Sequence, residues 1–348
     1  MTGHGAGGVQ QALVTFAQAL RHTHDVQTIV WKNSPIIAQL VAQGIDFQVL
    51  PLRAGRRIPN VFQAFLLRRL LQAFSPALVI GFSPRGYIEA KIASRNEEWV
   101  LAARIGTMAS QKIARTLNAD AWIANSREMG LLLQEVGCEA DRIFVVENFL
   151  PSNKTHQVVE RDDGRKRIGA AGRFVKRKGF DLILEAATIL AAKNVDVEWR
   201  LAGDGPERAR LEKLVAQAGL KDRIAFVGWL SAGEKNAFYE GLDFFVCPSI
   251  DDPFPRVMLE AAQAGVPVVA TDFVGSRTVF TDRTNALIAK ENTGASIAIA
   301  VSELISSPSL AQELSRNAAE LFNSRYSLDA GEKRIHKAVA LLARLKRR

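Results

Sequence analysis

Two carboxylates and two cations stand where loops of this chain enter helices. Asp252 and Glu260 are eight residues apart in the run CPSIDDPFPRVMLEAA, residues 247–262, so the first acid lies in a loop and the second inside the following helix. Both can then face one crevice. Upstream, Gly172-Arg173-Phe174-Val175-Lys176-Arg177-Lys178-Gly179 follows an apolar strand and opens a helix, which places Arg173 and Lys178 at the carboxyl end of a sheet. Two fixed cations beside a helix N-terminus suit the negative charge that develops on a departing diphosphate. Taken alone, a solvated basic loop accounts for them equally well, and Glu260 alone could be an ordinary surface acid. Ala202-Gly203-Asp204-Gly205-Pro206-Glu207 reads as a turn with good helix-start chemistry. Near the amino terminus, Gly3-x-Gly5-x-x-Gly8 matches the spacing of a dinucleotide fingerprint. No strand precedes it, no acid ends the following strand, and the Lys-Ser/Thr of a P-loop is lacking, so a tight turn and a phosphate- or sugar-facing loop both stay open.

The elements that must position these residues alternate. In the first half, a helical apolar face over 9–20 leads to strands at 26–31 and 45–52 and a helix at 61–74. Strands follow at 77–80, 99–103, 121–124 and 143–146, with helices after 83–86, at 108–117 and after Asn125-Ser126. Residues 150–167, LPSNKTHQVVERDDGRKR, turn polar and read as a linker. Alternation resumes with strands at 168–171, 197–202, 224–227, 244–247 and 268–271, and helices at 180–192, 207–218, 234–239, 256–264, 295–306, 309–323 and 328–345. Strands alternating with helices imply parallel sheets with the ligand crevice at their carboxyl ends, here in two α/β domains with a cleft between them. A βαβ unit wants a strand before the Gly3–Gly8 loop, where only two residues stand. A truncated or misassigned start is the expectation, to be sunk by an intact native mass beginning at Met1.

Composition sets the outer limits. With 348 residues, 48% of them hydrophobic and 23% charged, the chain can build two cores and lacks the charge bias of a disordered protein. No apolar run or leader-like start points to a membrane span or export, so a cytoplasmic protein is expected. Cys138 and Cys247 give neither a disulfide framework nor a zinc spacing, and His4, His22, His24, His156 and His336 form no cluster; no metal ligand is read among them. The formal charge of +9 is concentrated. Seven Lys/Arg and no acid occupy 333–348, and Arg53, Arg56, Arg57, Arg68 and Arg69 form a second acid-free cluster leading into the apolar run VFQAFLLRRLLQAF. Such an element reads either as a surface for anionic lipid, phosphate or nucleic acid or as a solvated helix whose Arg stems cover core, and together with the basic C-terminus it suggests docking on an anionic inner membrane surface. Few aromatics and no nucleic-acid signature argue against a nucleic-acid partner.

The three carboxyl-half motifs, with Gly265-Val266-Pro267-Val268-Val269-Ala270 after them as a fourth, resemble in order and spacing the donor-binding domain of the retaining glycosyltransferases of family 4. These are the "group 1" transferases with the GT-B fold. The resemblance is strong over 168–288 and looser elsewhere. It implies two Rossmann-like parallel-sheet domains facing across a cleft: an acceptor-side domain at 1–155, with a last helix at 328–348 packing back on it, and a donor domain at 165–327. It also implies transfer of a sugar from a nucleotide-diphosphate donor to an envelope polysaccharide or glycolipid of the lipopolysaccharide type, with retention of configuration and no cofactor or metal. Closing of the two domains would exclude water.

By resemblance, Arg173 and Lys178 form the diphosphate clamp, Asp252 meets the sugar hydroxyls and Glu260 the nucleotide ribose. Catalysis then falls to Arg173, Lys178 and Asp252. Donor contacts add Gly172, Gly203, Pro253, Phe254 and Val257, and Gly7 and Gly8 resemble the loop that meets donor phosphate and acceptor. Asn125-Ser126 and Glu147-Asn148 fit the usual stops of the first domain. The chain departs from the pattern at Asp252, where Glu is usual, at Val274-Gly275-Ser276-Arg277-Thr278 for Gly-Gly-x-x-Glu, and at Asn285-Ala286 for Asn-Gly. Phe82 and Gly106 stand in the neighbourhoods where a cleft histidine is often seen. Two other readings are kept: a non-hydrolysing nucleotide-sugar epimerase, and a non-catalytic or truncated GT-B protein.

Overall fold

A computed structural model describes residues 8–53, 61–95, 97–107, 114, 117–151 and 164–345. Gly7, Arg56, Arg57, most of the expected helix at 108–117, most of the linker and the last three basic residues lie outside them. The chain divides into two compact units, 1–151 with 327–348, and 152–326.

The second unit is built on one six-stranded parallel sheet in the order β12-β11-β10-β7-β8-β9. Its strands are β7 (Lys166–Ala171), β8 (Val197–Ala202), β9 (Ile224–Gly228), β10 (Phe244–Cys247), β11 (Val268–Ala270) and β12 (Leu287–Ile288). The inner strands Phe-Phe-Val-Cys and Val-Val-Ala are buried at every position, as strands covered on both faces must be. Helices α6 (Phe180–Ala192), α7 (Arg208–Gln217), α8 (Ala232–Glu240), α9 (Arg256–Gln263), α10 (Val274–Val279), α11 (Gly294–Ser306) and α12 (Pro308–Leu321) complete the unit. Trp199, Ile183, Val246, Val269 and Ile297 share its main core. The predicted linker ran two residues too far, because Lys166 and Arg167 already pair with Val197 and Glu198. Strand order reverses between β7 and β10, and in open α/β sheets such a switch point leaves a crevice outside the carboxyl ends of the two strands. The loop leaving β7 carries the two cations singled out above and the loop leaving β10 carries Asp252, with Glu260 in the helix α9 behind it.

In the first unit the strands fall into two parallel sheets. Strand β1 (Thr28–Lys32) pairs with β2 (Phe47–Arg53), while β3 (Leu78–Gly81), β4 (Val100–Ile105), β5 (Ala121–Ala124) and β6 (Ile143–Val145) form a four-stranded sheet in chain order. Helices α1 (Gly8–Leu20), α2 (Ile37–Ala42), α3 (Val61–Phe74), α4 (Pro84–Ala93), α5 (Arg127–Glu135) and α13 (Leu328–Leu342) surround them. Among the described residues, side chains rather than a ladder join the two sheets. Trp31 of β1 donates its indole N–H to Glu89 of α4 at 2.9 Å, with the Arg85 guanidinium 5.5 Å above its ring. Phe16 and Leu20 of α1 share a core with Ile335 and Leu342 of α13 and with Ile123 of β5. Sequence patterning missed α2, a six-residue helix behind Pro35 whose one fully buried residue, Leu40, gives no apolar period.

Candidate functional site

The second unit's site is framed by crossover loops that touch through their backbones. Gly203, after β8, has φ +136°, and a Cβ there would sit 1.8 Å from the carbonyl oxygen of Gly172, after β7. Gly179, before α6, has φ +62° and would bring a Cβ within 2.0 Å of the Pro248 carbonyl after β10. Only glycine takes these conformations without strain, and no side chain fits the gaps. The Phe174 N–H donates to the Asp204 carbonyl at 2.9 Å, and the Ile250 N–H to that of Arg177 at 2.9 Å, so the loops after β7, β8 and β10 form one surface. A fourth joins at Gly275, whose Cβ position lies 2.1 Å from the Asp252 carbonyl. The altered Val274-Gly275 pair therefore keeps the glycine that the packing needs.

Lys178 and Asp252 meet on this surface. The Lys178 ammonium donates to Asp252 Oδ2, while Asp252 Oδ1 accepts the Phe254 N–H at 3.2 Å. Their side chains are 14% and 13% exposed, enough to keep the ion pair from bulk screening. Phe254 and Gly203 are buried, Gly172, Pro253 and Val257 are half-buried, and Arg173 is exposed with no side-chain partner among the described residues. Gly8 opens α1 in the first unit and is exposed.

Glu260 stands one helical turn into α9 and is held from α8. Its Oε1 accepts from Lys235 Nζ at 2.7 Å and its Oε2 from the Tyr239 hydroxyl at 3.0 Å. Burial pushes its carboxyl up, but Lys235, Arg256 and the Tyr239 hydroxyl together outweigh burial and hold it below the usual 4.5. Burial and the neighbouring Glu260 charge raise the Tyr239 phenol well above its ordinary range, so it stays a donor. Glu260 is thus a fixed anion with lone pairs to spare, suited to accept from vicinal hydroxyls. Lys235 and Tyr239 were not foreseen, although their i, i+4 spacing behind the Ser231–Glu234 capping box puts them on one helix face.

In the first unit Phe82 and Gly106 flank a different group from the histidine sought there. The buried Arg104 guanidinium lies 5.3 Å from the Phe16 ring and 5.7 Å from that of Phe82, and donates to Asn148 Oδ1 at 2.5 Å. A Cβ on Gly106 would stand 3.1 Å from it. Asn125-Ser126 and Glu147-Asn148 are all buried, and Ser126 caps α5 by accepting the Met129 N–H. The basic cluster before and within α3 is also less free than its sequence implied, because Arg68 pairs with Glu97 at 2.8 Å. Among the described residues no group of His, Cys, Asp and Glu is arranged to hold a metal ion, and no single helix is long and apolar enough to cross a membrane.

Two α/β units, one with cationic and acidic residues gathered at the switch point of its parallel sheet, define a two-domain α/β protein with its candidate ligand crevice there. The model of the family "Glycosyl transferases group 1" matches residues 151–321. The lipopolysaccharide core biosynthesis glycosyltransferase LpsD of Rhizobium meliloti is 30% identical over 269 residues, 75% of this chain and 74% of that protein. LpsE of the same organism is 28% identical over 61% of this chain and 62% of its own length. Among solved structures, Anabaena Alr3699/HepE in complex with UDP and glucose superposes with a TM-score of 0.83 at 17% identity, covering 96% of both chains. The lipopolysaccharide outer core galactosyltransferase WaaB does so with 0.75 at 16%, covering 97% of this chain and 96% of its own. The chain belongs to the group 1 glycosyltransferases; its fold is GT-B and it is a glycosyltransferase.

Proposed function

We propose that this enzyme moves a sugar from a nucleotide-diphosphate donor to an envelope polysaccharide or glycolipid of the lipopolysaccharide type, with retention of configuration as in family 4. The observation that carries the reading is the spacing of two anchored acids: Asp252, paired with Lys178 in the loop after β10, and Glu260, clamped by Lys235 and Tyr239 one turn into α9. Such a pair suits a ligand with hydroxyls at both ends and charge between. Glu260 takes the ribose hydroxyls and Asp252 those of the sugar. Lys178, oriented by Asp252, and the exposed Arg173 meet the departing diphosphate, whose developing charge they neutralise while the acceptor hydroxyl attacks the face from which it leaves. No metal or other cofactor enters the scheme. The names of LpsD, LpsE and WaaB support an envelope acceptor, and the UDP and glucose held by HepE support a UDP-sugar donor.

Ligand-observed NMR with UDP-, GDP- and ADP-sugars on the wild type and on Glu260→Ala tests the donor site. One donor should bind and be lost in the variant; binding of none overturns the reading. The anomeric proton coupling of the product then decides between retention and inversion. For the acceptor side, Phe62, Phe65 and Arg69 exposed on α3, with Ile88 and Ile92 exposed on α4, which packs against it, support docking on an anionic membrane surface. Sedimentation with anionic liposomes should fall when the Arg53–Arg69 positions are neutralised; unchanged sedimentation excludes docking through α3.

A further inference from the structure

Among the described residues the site holds two lysine–carboxylate pairs, which differ in how far they open. In the Lys178–Asp252 pair both side chains are nearly covered, whereas the Lys235 side chain is 37% exposed beside a Glu260 that is 15% exposed. Lys235 stands one turn into α8, its backbone N–H bonded to the Ser231 carbonyl at 3.1 Å, and its ammonium reaches across to Glu260 Oε1 at 2.7 Å. An ammonium carries three N–H donors. Glu260 is its one hydrogen-bond partner among the described residues, so two N–H groups are left to solvent or to a ligand. Tyr239, which holds the other carboxylate oxygen, is buried and has no such freedom.

Resting on the proposed assignment of Glu260 to the ribose, a hydroxyl that donates to Oε1 lies within about 5.5 Å of the Lys235 ammonium, because both groups bond the same oxygen. Its vicinal neighbour stands beside it, and the flexible four-carbon stem of lysine closes the rest of the distance. A hydroxyl both donates and accepts, and a carboxylate meets only its proton. Its lone pairs, once removed from water, need a donor of their own. We propose that Lys235 is a nucleotide-contacting residue, whose ammonium donates to a hydroxyl oxygen of the ribose diol that Glu260 binds. The pair then reads the diol from both sides and rejects a sugar that lacks one of its hydroxyls, which leaves a charged group unmatched. Lys235 thereby sets how strongly the site prefers a ribonucleotide over its deoxy analogue.

The test measures binding of a nucleoside diphosphate and of its 2′-deoxy and 3′-deoxy forms to the wild type, Glu260→Ala and Lys235→Met, with the base that the wild type accepts among uracil, guanine and adenine. The wild type should prefer the ribonucleotide over at least one deoxy form, and Glu260→Ala should lose that preference. Lys235→Met should cut it about tenfold or more by weakening the ribonucleotide alone. Removing Lys235 also removes a charge that holds the Glu260 carboxyl down, so the series is run at about pH 7 and about pH 9. A preference kept in Lys235→Met, or lost at the lower pH and regained at the higher, overturns the proposal: the lysine then reads nothing, or acts only through the ionisation of Glu260. A second arm uses the wild type and so does not depend on the variant's folding. The 2′,3′-dialdehyde of the same nucleotide condenses with an amine beside the ribose, water leaving as the imine forms, and borohydride reduces that imine to a stable amine. Lys235 should carry the label and intact nucleotide should protect it; an unmodified Lys235 overturns the proposal. If the wild type binds no nucleoside diphosphate, or Glu260→Ala keeps the wild-type preference, the ribose reading of Glu260 has failed and the proposal falls with it.

Discussion

The two units solve the same problem, a parallel sheet under helices, by different bonds. From β12 to β9 every neighbouring pair of strands is laddered, and the loops at the carboxyl ends interlock through Gly172, Gly179, Gly203 and Gly275. Among the described residues of the other unit no ladder joins β1 to β3, and the Trp31–Glu89–Arg85 contact and the cores on the two sides of α1 carry the join. Backbone contacts fix positions regardless of side-chain identity, whereas a join made by side chains is only as rigid as the residues that make it. The loop surface of the second unit is accordingly held by backbone contacts that the first unit's join lacks.

The contrast is broken most severely at Gly203. Gly203→Ala forces a Cβ into the Gly172 carbonyl and should destabilise residues 152–326 by about 3 kcal/mol or more, while leaving the first unit's exchange unaltered. Hydrogen exchange resolved by peptide measures both at once; uniform loosening of both units would show that the glycine contact is not local. Acid should act next. Because Glu260 titrates lower in the fold than in the unfolded chain, its stabilisation is complete above about 4.5 and is lost as pH falls through the folded value. The second unit should therefore lose stability below about pH 4.5, and Glu260→Gln should flatten that limb; an unchanged acid limb would mean the Lys235–Tyr239 clamp contributes nothing. The smallest effect belongs to the side-chain join. Trp31→Phe removes one hydrogen bond to a buried carboxylate that Arg85 still holds, so the cost should be about 1 kcal/mol, read as faster exchange in β1 and β2 with β3–β6 unchanged. Equal acceleration in both sheets would show a tighter coupling than the split ladder implies.

Local patterning carried much of this architecture. Helix 180–192 and strand 244–247 were placed to the residue, because a dense apolar run bounded by Gly179 or by Gly241 and Pro248 leaves little choice of ends. The arrangement was legible in part where residues follow one another along the chain, as in the Arg173–Lys178 loop and the Asp252–Glu260 run. It was not legible where α8 meets α9: nothing in the order of residues says that Lys235 and Tyr239 face Glu260 rather than solvent. The first unit showed the same limit, since the histidine sought near Phe82 and Gly106 gives way to Arg104, which comes into place only when β4, α1 and Asn148 converge.

The interlocked glycines also bear on how such an enzyme can be altered. Each of the four loops is the mould for its neighbour, so exchanging one for the corresponding loop of a relative inserts a backbone that the other three were not cut to fit. Chimeras of this unit should transplant the loops after β7, β8, β10 and β11 as a set, or keep all four and vary only exposed side chains such as Arg173. On this surface specificity is free to drift by point substitution and is conservative to recombination.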